Sequence, residues 1–331
     1  KDLSGELTMG EPTEAVIVRP ARPQDREAVL AFCREIWDGA DYIADVWEEW
    51  LAADTGALLV AVSDGHPVGL VHVAMLSRED AWLEGIRVDP GVRRHGIGRV
   101  LISQALAIAR EQGAKVARLF TSSENVVAQE LVTRRFGFQK VAEVARYTGM
   151  ALESGSDPDA DALLDIEEPG PGTYQEPASG PPPGPRLLLA GAEDYTRVRD
   201  WLKQSNLAPA NGGLQFGGWS AWTLEDTDLH DYLINGEVWV LEEWDVIQAA
   251  ALVRDIGRET SSLATLQVRY IDGTAGGISI LALVLREIAQ ERELEQVELW
   301  LPDQLILQDA MNGAGYSRSS HEKMWVYQRP L

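Results

Sequence analysis

The sequence predicts an α/β fold of the mixed α+β kind, in two similar halves, each a central, mostly antiparallel sheet flanked by helices. Three observations carry this. Residues 15–150 run in the order strand, helix, helix, three strands, helix, strand, helix, strand, which suits a sheet with helices layered on its faces. Residues 186–331 follow the same outline. Between them, residues 151–185 hold eight Pro, five Gly and eight acidic residues with no basic one. That composition has little to bury and reads as a flexible linker, with a docked segment that gates a site as the alternative. A chain of 331 residues has room for two cores of roughly 100–200 residues each.

Residues 1–14 are polar, lack the apolar stretch of a signal peptide and are read as a tail. Residues 15–19 are a short β-branched run ended by Pro20 and form the first strand. Pro23, Gln24 and Asp25 then open a helix whose apolar positions are Val29, Leu30, Phe32, Cys33 and Ile36. Residues 43–53 are a second helix. Residues 57–62 and 68–75 are strands joined by Ser63, Asp64, Gly65, His66 and Pro67, a turn-rich hairpin connection. Residues 82–88 are a fourth strand, stopped by Asp89, Pro90 and Gly91. Residues 93–98 form a Gly-containing loop. The helix at 97–112 shows apolar residues at Ile97, Val100, Leu101, Ala105 and Ile108. A strand at 115–120, a helix at 126–136 and a strand at 139–147 complete the first half.

In the second half the strands are 187–190, 237–242, 246–254, 263–271, 296–301 and 323–329, and the helices are 194–204, 278–291 and 305–314. Seven of the eleven Trp lie there; Trp219, Trp222, Trp239 and Trp244 form either an apolar pocket or core.

The net charge of −23 argues against nucleic acid, which needs a basic face, and against anionic membrane surfaces. A neutral or cationic substrate meets no long-range repulsion. No stretch reaches the ~18 consecutive apolar residues of a membrane span. Cys33 is the lone cysteine, which excludes an intramolecular disulfide and fits a reducing, cytoplasmic location.

The loop at 93–98 is the most informative segment. It follows a strand and opens a helix. Gly96 and Gly98 remove side chains, so backbone N–H groups can approach an anion, and the helix start adds partial positive charge. Arg93, Arg94 and Arg99 add charges suited to phosphate. Neither the three-glycine dinucleotide fingerprint nor a Gly-Lys-Ser/Thr phosphate loop is present. A plain basic helix cap is the alternative.

Residues 83–98, with Arg-x-x-Gly-x-Gly at Arg93, Gly96 and Gly98, together with Asn125-Val126-Val127-Ala128 and Phe136-Gly137-Phe138, resemble the GNAT family of N-acetyltransferases. The resemblance spans residues 16–148, about 40% of the chain, and the second half looks like a degenerate copy. It implies a 15–150 acetyl-CoA-binding domain, a 151–185 linker and a 186–331 GNAT-like domain. It implies that backbone groups of Ile86, Arg87 and Val88 bond the pantetheine arm. The loop from Arg93 through Arg94, His95, Gly96, Ile97 and Gly98 to Arg99 would take the pyrophosphate, and Asn125 would contact the cofactor arm. The fourth and fifth strands would splay, with Gly85 placed for the bulge that starts the splay. The implied reaction is direct attack of a small-molecule or protein amine on acetyl-CoA, with no metal. Tandem proteins of this plan, mycothiol-synthase-like enzymes among them, pair one active with one decayed half.

Such chemistry needs a base, and Glu84 is the candidate; the alternative is that it pairs with Arg118 or another neighbour. The family's usual acid, a Tyr in the last helix, is replaced by Val132 or Thr133, leaving Tyr147, Tyr42, Ser122, Ser123 or solvent. His95 is read as solvated or phosphate-facing, and Cys33 as core. Asp38, Asp41 and Asp45 are either ammonium-attracting or ordinary surface acids. Trp37, Tyr42, Trp47 and Trp50 are either a pocket wall or core. In the second half, the loop Asp272 to Gly277 lacks the Arg and gains an Asp, so productive cofactor binding is not expected there. The expected function is N-acetylation of a primary amine by a monomer or homodimer. The alternative is a non-catalytic acyl-CoA-binding sensor or scaffold.

Overall fold

Alternating apolar residues build a short meander in the first half of the chain. In the computed structural model, which describes residues 16–36, 41–153, 184–258, 262–319 and 323–331, strands β1 (Ile17–Pro20), β2 (Ala57–Ser63), β3 (His66–Met75) and β4 (Asp80–Val88) pair antiparallel in that order. The predicted tail, most of the predicted linker, Trp37 and Asp38 lie outside the described residues. The β2–β3 turn has Asp64 at φ 51° and Gly65 at φ 79°, the left-handed pair that a two-residue hairpin turn requires.

Helices α1 (Arg26–Cys33) and α2 (Ile43–Ala52) cover one face of this meander. Val29, Phe32, Ile43, Trp47 and Trp50 pack there against Leu58, Val60 and Leu70. Trp47 is fully buried, Trp50 nearly so, and Tyr42 remains partly exposed, so the aromatic stripe is mostly core. Cys33 is buried, as expected, and burial, with Asp41 nearby, pushes its thiol up to about 12. Helix α3 (Ile97–Glu111) buries Ile97, Leu101, Ala105 and Ala109 against the meander.

The chain divides into two compact units, Lys1–Ala117 with Pro330–Leu331, and Arg118–Arg329. The division falls inside β5 (Val116–Ser122).

In the second unit the sheet runs β5, β15 (Met324–Pro330), β6 (Gln139–Met150), β13 (Gln296–Pro302), β12 (Thr265–Gly273), β11 (Val246–Ile256), β10 (Val238–Glu243), β7 (Arg186–Ala190). β12 and β13 are parallel, while β13–β6, β15–β6, β11–β12, β10–β11 and β7–β10 are antiparallel. β6 is thus the last strand of the predicted first half, yet it pairs with β13, from Val144↔Pro302 to Met150↔Gln296, and with the chain's final strand. The short β14 (Ser317–Arg318) also pairs with β6.

Helix α4 (Val126–Glu130) continues into a wider π-turn at Leu131–Arg135. α5 (Tyr195–Leu202) and α7 (Asp226–Ile234) pack through Val198, Leu229 and Leu233 on Val240 and Leu252. α8 (Ala275–Glu291) and α9 (Leu305–Gly313) pack with Val268, Leu299 and Leu301. The short α6 (Ala208–Asn211), the hairpin of β8 (Leu214–Gly217) and β9 (Ser220–Thr223), and α7 were not read from the sequence. The four singled-out tryptophans are dispersed. Trp239 packs on the α8 core, Trp219 against Trp300, Trp222 beneath Arg269, and Trp244 is exposed. No helix among the described residues is long and apolar enough to cross a membrane.

Candidate active site

The site grows from an irregularity in β4. Leu70 pairs with Arg87 and His72 pairs with Glu84, so β4 advances three residues while β3 advances two. The extra residue is a β-bulge, as Gly85 suggested. Gly85 sits at φ 61°, and a Cβ there would come within 2.7 Å of Trp50 Cζ3. Both the conformation and the space therefore require glycine. Gly85→Ala is expected to lower stability by roughly 2–4 kcal/mol, read by urea unfolding.

Glu84 stands directly beside the bulge. Its Oε1 lies 2.8 Å from His72 Nδ1. His72 is buried, and the Glu84 side chain retains 22% exposure. Trp50 stacks on the imidazole with centroids 4.3 Å apart and planes 10° from parallel. With Glu84 ionised, Nδ1 carries the proton and donates to the carboxylate; the opposite tautomer would set two lone-pair-bearing atoms against each other. Oε2 has no hydrogen-bond partner among the described residues. The sequence reading missed His72. Its signal was an imidazole inside the apolar run at 68–75, since a buried polar group needs a partner.

Two residues beyond the bulge, Arg87 Nε lies 2.7 Å from Asp41 Oδ2, and Nη2 lies 3.2 Å from Oδ1. Both side chains are buried. Burial opposes the Arg87 charge, but hydrogen bonding and attraction to Asp41 outweigh it and hold its pKa above the ordinary value. Arg87 also sits over the Tyr42 ring at 5.3 Å, and Tyr42 meets Trp50 edge-on at 6.1 Å. Burial raises the Tyr42 hydroxyl, so it stays protonated near neutral pH. Asp41 is a partner of Arg87 and not a surface acid.

After β4, Asp89 Oδ1 accepts from Gly91 N–H at 2.8 Å and turns the chain. Arg94 then takes φ 68° and Gly96 φ 80°, and α3 begins. A Cβ at Gly96 would meet nothing within 4 Å, so the space in front of the helix start is open. Arg93, Arg94, His95 and Arg99 are exposed. Among the described residues no acceptor engages the N–H groups from Arg93 to Gly98, and no carboxylate pairs with the three arginines. His95 bonds only the Val92 carbonyl, at 3.1 Å. Ile97 differs from its neighbours in that its side chain is buried under α3. Glu84, Ile86, Arg87, Val88 and the loop to Arg99 thus come from one continuous strand–loop–helix. Ile86 falls in the bulge, and Val88 pairs with Gly69.

Asn125 lies in the second unit. There it is the N-cap of α4, its Oδ1 accepting from Ala128 N–H at 3.1 Å. Val132 is buried core, and Thr133 Oγ1 donates to the Gln129 carbonyl at 2.7 Å, so neither offers an acid.

The second unit repeats the irregularity. Leu252 pairs with Tyr270 and Val253 with Val268, leaving Arg269 as the extra residue in β12. Gln267, an amide, stands just before that bulge, where β4 has Glu84. The Thr274 hydroxyl accepts from Gly277 N–H at 3.0 Å, so the α8 start is capped from within. Asp272 is buried beside it, and burial raises its carboxyl above the usual carboxylate range.

Residues 26–138 match the profile described as Acetyltransferase (GNAT) family. That segment belongs to the GNAT family. A histidine N-acetyltransferase of Xenopus tropicalis is 29% identical over 186 residues, covering 55% of this chain and 53% of that protein. Aminoglycoside N(6')-acetyltransferase type 1 of Salmonella typhimurium is 29% identical over 125 residues, 34% of this chain and 85% of that protein. The chain spans about half the length of the curated relatives it matches first. A GCN5-related N-acetyltransferase structure from Sphaerobacter thermophilus covers 95% of each chain with a TM-score of 0.58 at 15% identity. That likeness concerns the fold, and it extends the GNAT fold beyond the matched segment to nearly the whole chain.

Proposed function

We propose that this protein is an acetyl-CoA-dependent N-acetyltransferase whose chemistry is carried by residues 84–99, with Glu84 as base. The observation that supports it is the pairing of a half-open carboxylate, held at the β4 bulge by His72, with a helix start whose amides and arginines are unengaged. In this reading the loop from Arg93 to Arg99 binds the pyrophosphate, and the β4 backbone from Ile86 to Val88 receives the pantetheine arm.

Glu84 Oε2 takes a proton from the acceptor's ammonium, and the amine nitrogen attacks the thioester carbonyl. The C–N bond forms, the nitrogen gives up its second proton to solvent as the adduct collapses, the C–S bond breaks, and the thiolate leaves as a good leaving group that takes a proton from solvent, so one proton is released overall, by way of Glu84. The acidic chain favours a cationic acceptor. Small basic amines are the class to test, starting with L-histidine and an aminoglycoside, the substrates named for the two relatives above.

Residues 186–331 are proposed as a degenerate GNAT-like domain. Gln267 in place of a carboxylate, the internally capped α8 start and the acid Asp272 all support that reading. Calorimetric titration with acetyl-CoA is expected to give one site per chain. Two sites would reinstate the second domain, and no binding at millimolar ligand would end the proposal. The absence of a Tyr at Val132 or Thr133 favours one second reading, an acyl-CoA sensor. One site with no transfer to any amine would select it.

Gly96→Asp tests the loop. Asp tolerates the left-handed conformation and is a good helix N-cap, so stability is expected to change by less than about 1 kcal/mol. Its carboxylate would face the phosphates, and acetyl-CoA affinity is expected to fall at least about 100-fold. Unchanged affinity would remove the phosphate site from this loop.

A further inference from the structure

We propose that His72 is the positioning residue for Glu84, fixing which carboxylate oxygen meets the substrate. This rests on the reading of Glu84 as the base. The pair is built from three elements of the first unit. β3 supplies the imidazole, β4 the carboxylate, and α2 the Trp50 ring that clamps the imidazole plane. His72 and Glu84 are direct cross-strand partners at the last position before the bulge. A one-residue slip of the ladder would carry Glu84 to the other face of the sheet. The bulge glycine belongs to the same device, because only a residue without Cβ leaves room for Trp50 beside the imidazole.

The second ring nitrogen is His72 Nε2. It is buried and has no hydrogen-bond partner among the described residues. Here one nitrogen is left unmet while the other is committed to Glu84. With Nδ1 committed to Glu84, the imidazole makes no second hydrogen bond through Nε2 among the described residues. His72 then acts as a fixed single donor. It holds Oε1, cannot take the substrate's proton through a relay of its own, and leaves Oε2 as the sole acceptor for the ammonium. The other titratable groups around the pair are Tyr42, which faces Glu84, and behind it Arg87 and Asp41.

The test uses the full chain and two substitutions. His72→Phe keeps a flat ring against Trp50 and removes the donor. His72→Asn places an amide N–H near the Nδ1 position. With acetyl-CoA and L-histidine or an aminoglycoside, His72→Phe is expected to lower kcat by about 10–100-fold with the KM for acetyl-CoA unchanged, and His72→Asn to recover most of that loss. Equal loss in both variants, or a change confined to KM, would overturn the positioning role. Glu84→Gln run in parallel separates the two claims. If Glu84→Gln is inactive and His72→Phe retains full kcat, the base stands and the positioning role falls.

Nitrogen-15 NMR of the histidine rings, assigned with His72→Asn, provides a readout independent of turnover. His72 is expected as the neutral Nδ1–H tautomer, with its ring resonances shifted in Glu84→Gln. An Nε2–H tautomer, or no response to Glu84→Gln, would overturn the proposal even if no acceptor amine is turned over.

Discussion

Glu84→Gln is expected to lower turnover by roughly 10²–10⁴-fold and to leave acetyl-CoA affinity unchanged. The substitution is nearly isosteric. The introduced amide oxygen can still accept from His72 Nδ1, so the β4 bulge, the Trp50 stack and the loop beyond them keep their geometry. What is lost is one proton acceptor. Near neutral pH an aliphatic amine is almost wholly ammonium, and ammonium cannot attack a thioester. The variant therefore works only on the small free-amine fraction supplied by solvent. Its rate is expected to climb about tenfold per pH unit until the acceptor itself is deprotonated. The wild type is expected to gain far less over the same interval, since in the proposed reading Glu84 removes the proton in the bound complex. Steady-state kinetics from about pH 6.5 to 9.5 with one accepted amine check both parts. Equal rates for the two proteins near neutral pH would move the base elsewhere, and a parallel loss of acetyl-CoA affinity would show that Glu84 shapes the cofactor site instead.

The strand–loop–helix from Glu84 to Arg99 was legible because it is local. Gly96, Gly98 and the arginines lie within a few residues of one another, and the backbone conformations they allow do not depend on distant partners. The Asp64-Gly65 turn was legible for the same reason. Pairings across the sheet were not. His72 meets Glu84 because β3 and β4 share one register, and Asp41 meets Arg87 across 46 positions of sequence. Neither contact leaves a mark in periodicity. The same limit hid the partner of β6. Its alternation says strand, but nothing in it says that β13 and β15 will flank it. The β8–β9 hairpin was missed because its strands are only four residues long and give too few alternations to read.

Asp41→Ala is expected to destabilise the protein by about 3–5 kcal/mol, the range for removing one partner of a buried ion pair. The side chains are 9% and 3% exposed, so the Arg87 guanidinium would lose its carboxylate without gaining water. The pair also joins the segment before α2 to β4, and Tyr42 lies under the guanidinium. The double variant Asp41→Ala, Arg87→Met separates the two contributions. If the penalty comes from a stranded charge, the double variant recovers most of the loss, since an apolar replacement of a whole buried pair is often neutral. If the penalty comes from the lost tether, the double variant is no better than the single. Urea unfolding of both proteins gives the answer. Cys33 supplies a second readout at the same place, because its thiol is raised first by burial and then by Asp41, while Arg87 acts in the opposite sense. Removing Asp41 alone is therefore expected to lower the thiol pKa, read from the pH dependence of the Cys33 thiolate absorbance. Removing Arg87 as well reverses that shift. A single variant that loses stability without any change in the Cys33 titration would assign the loss to the tether.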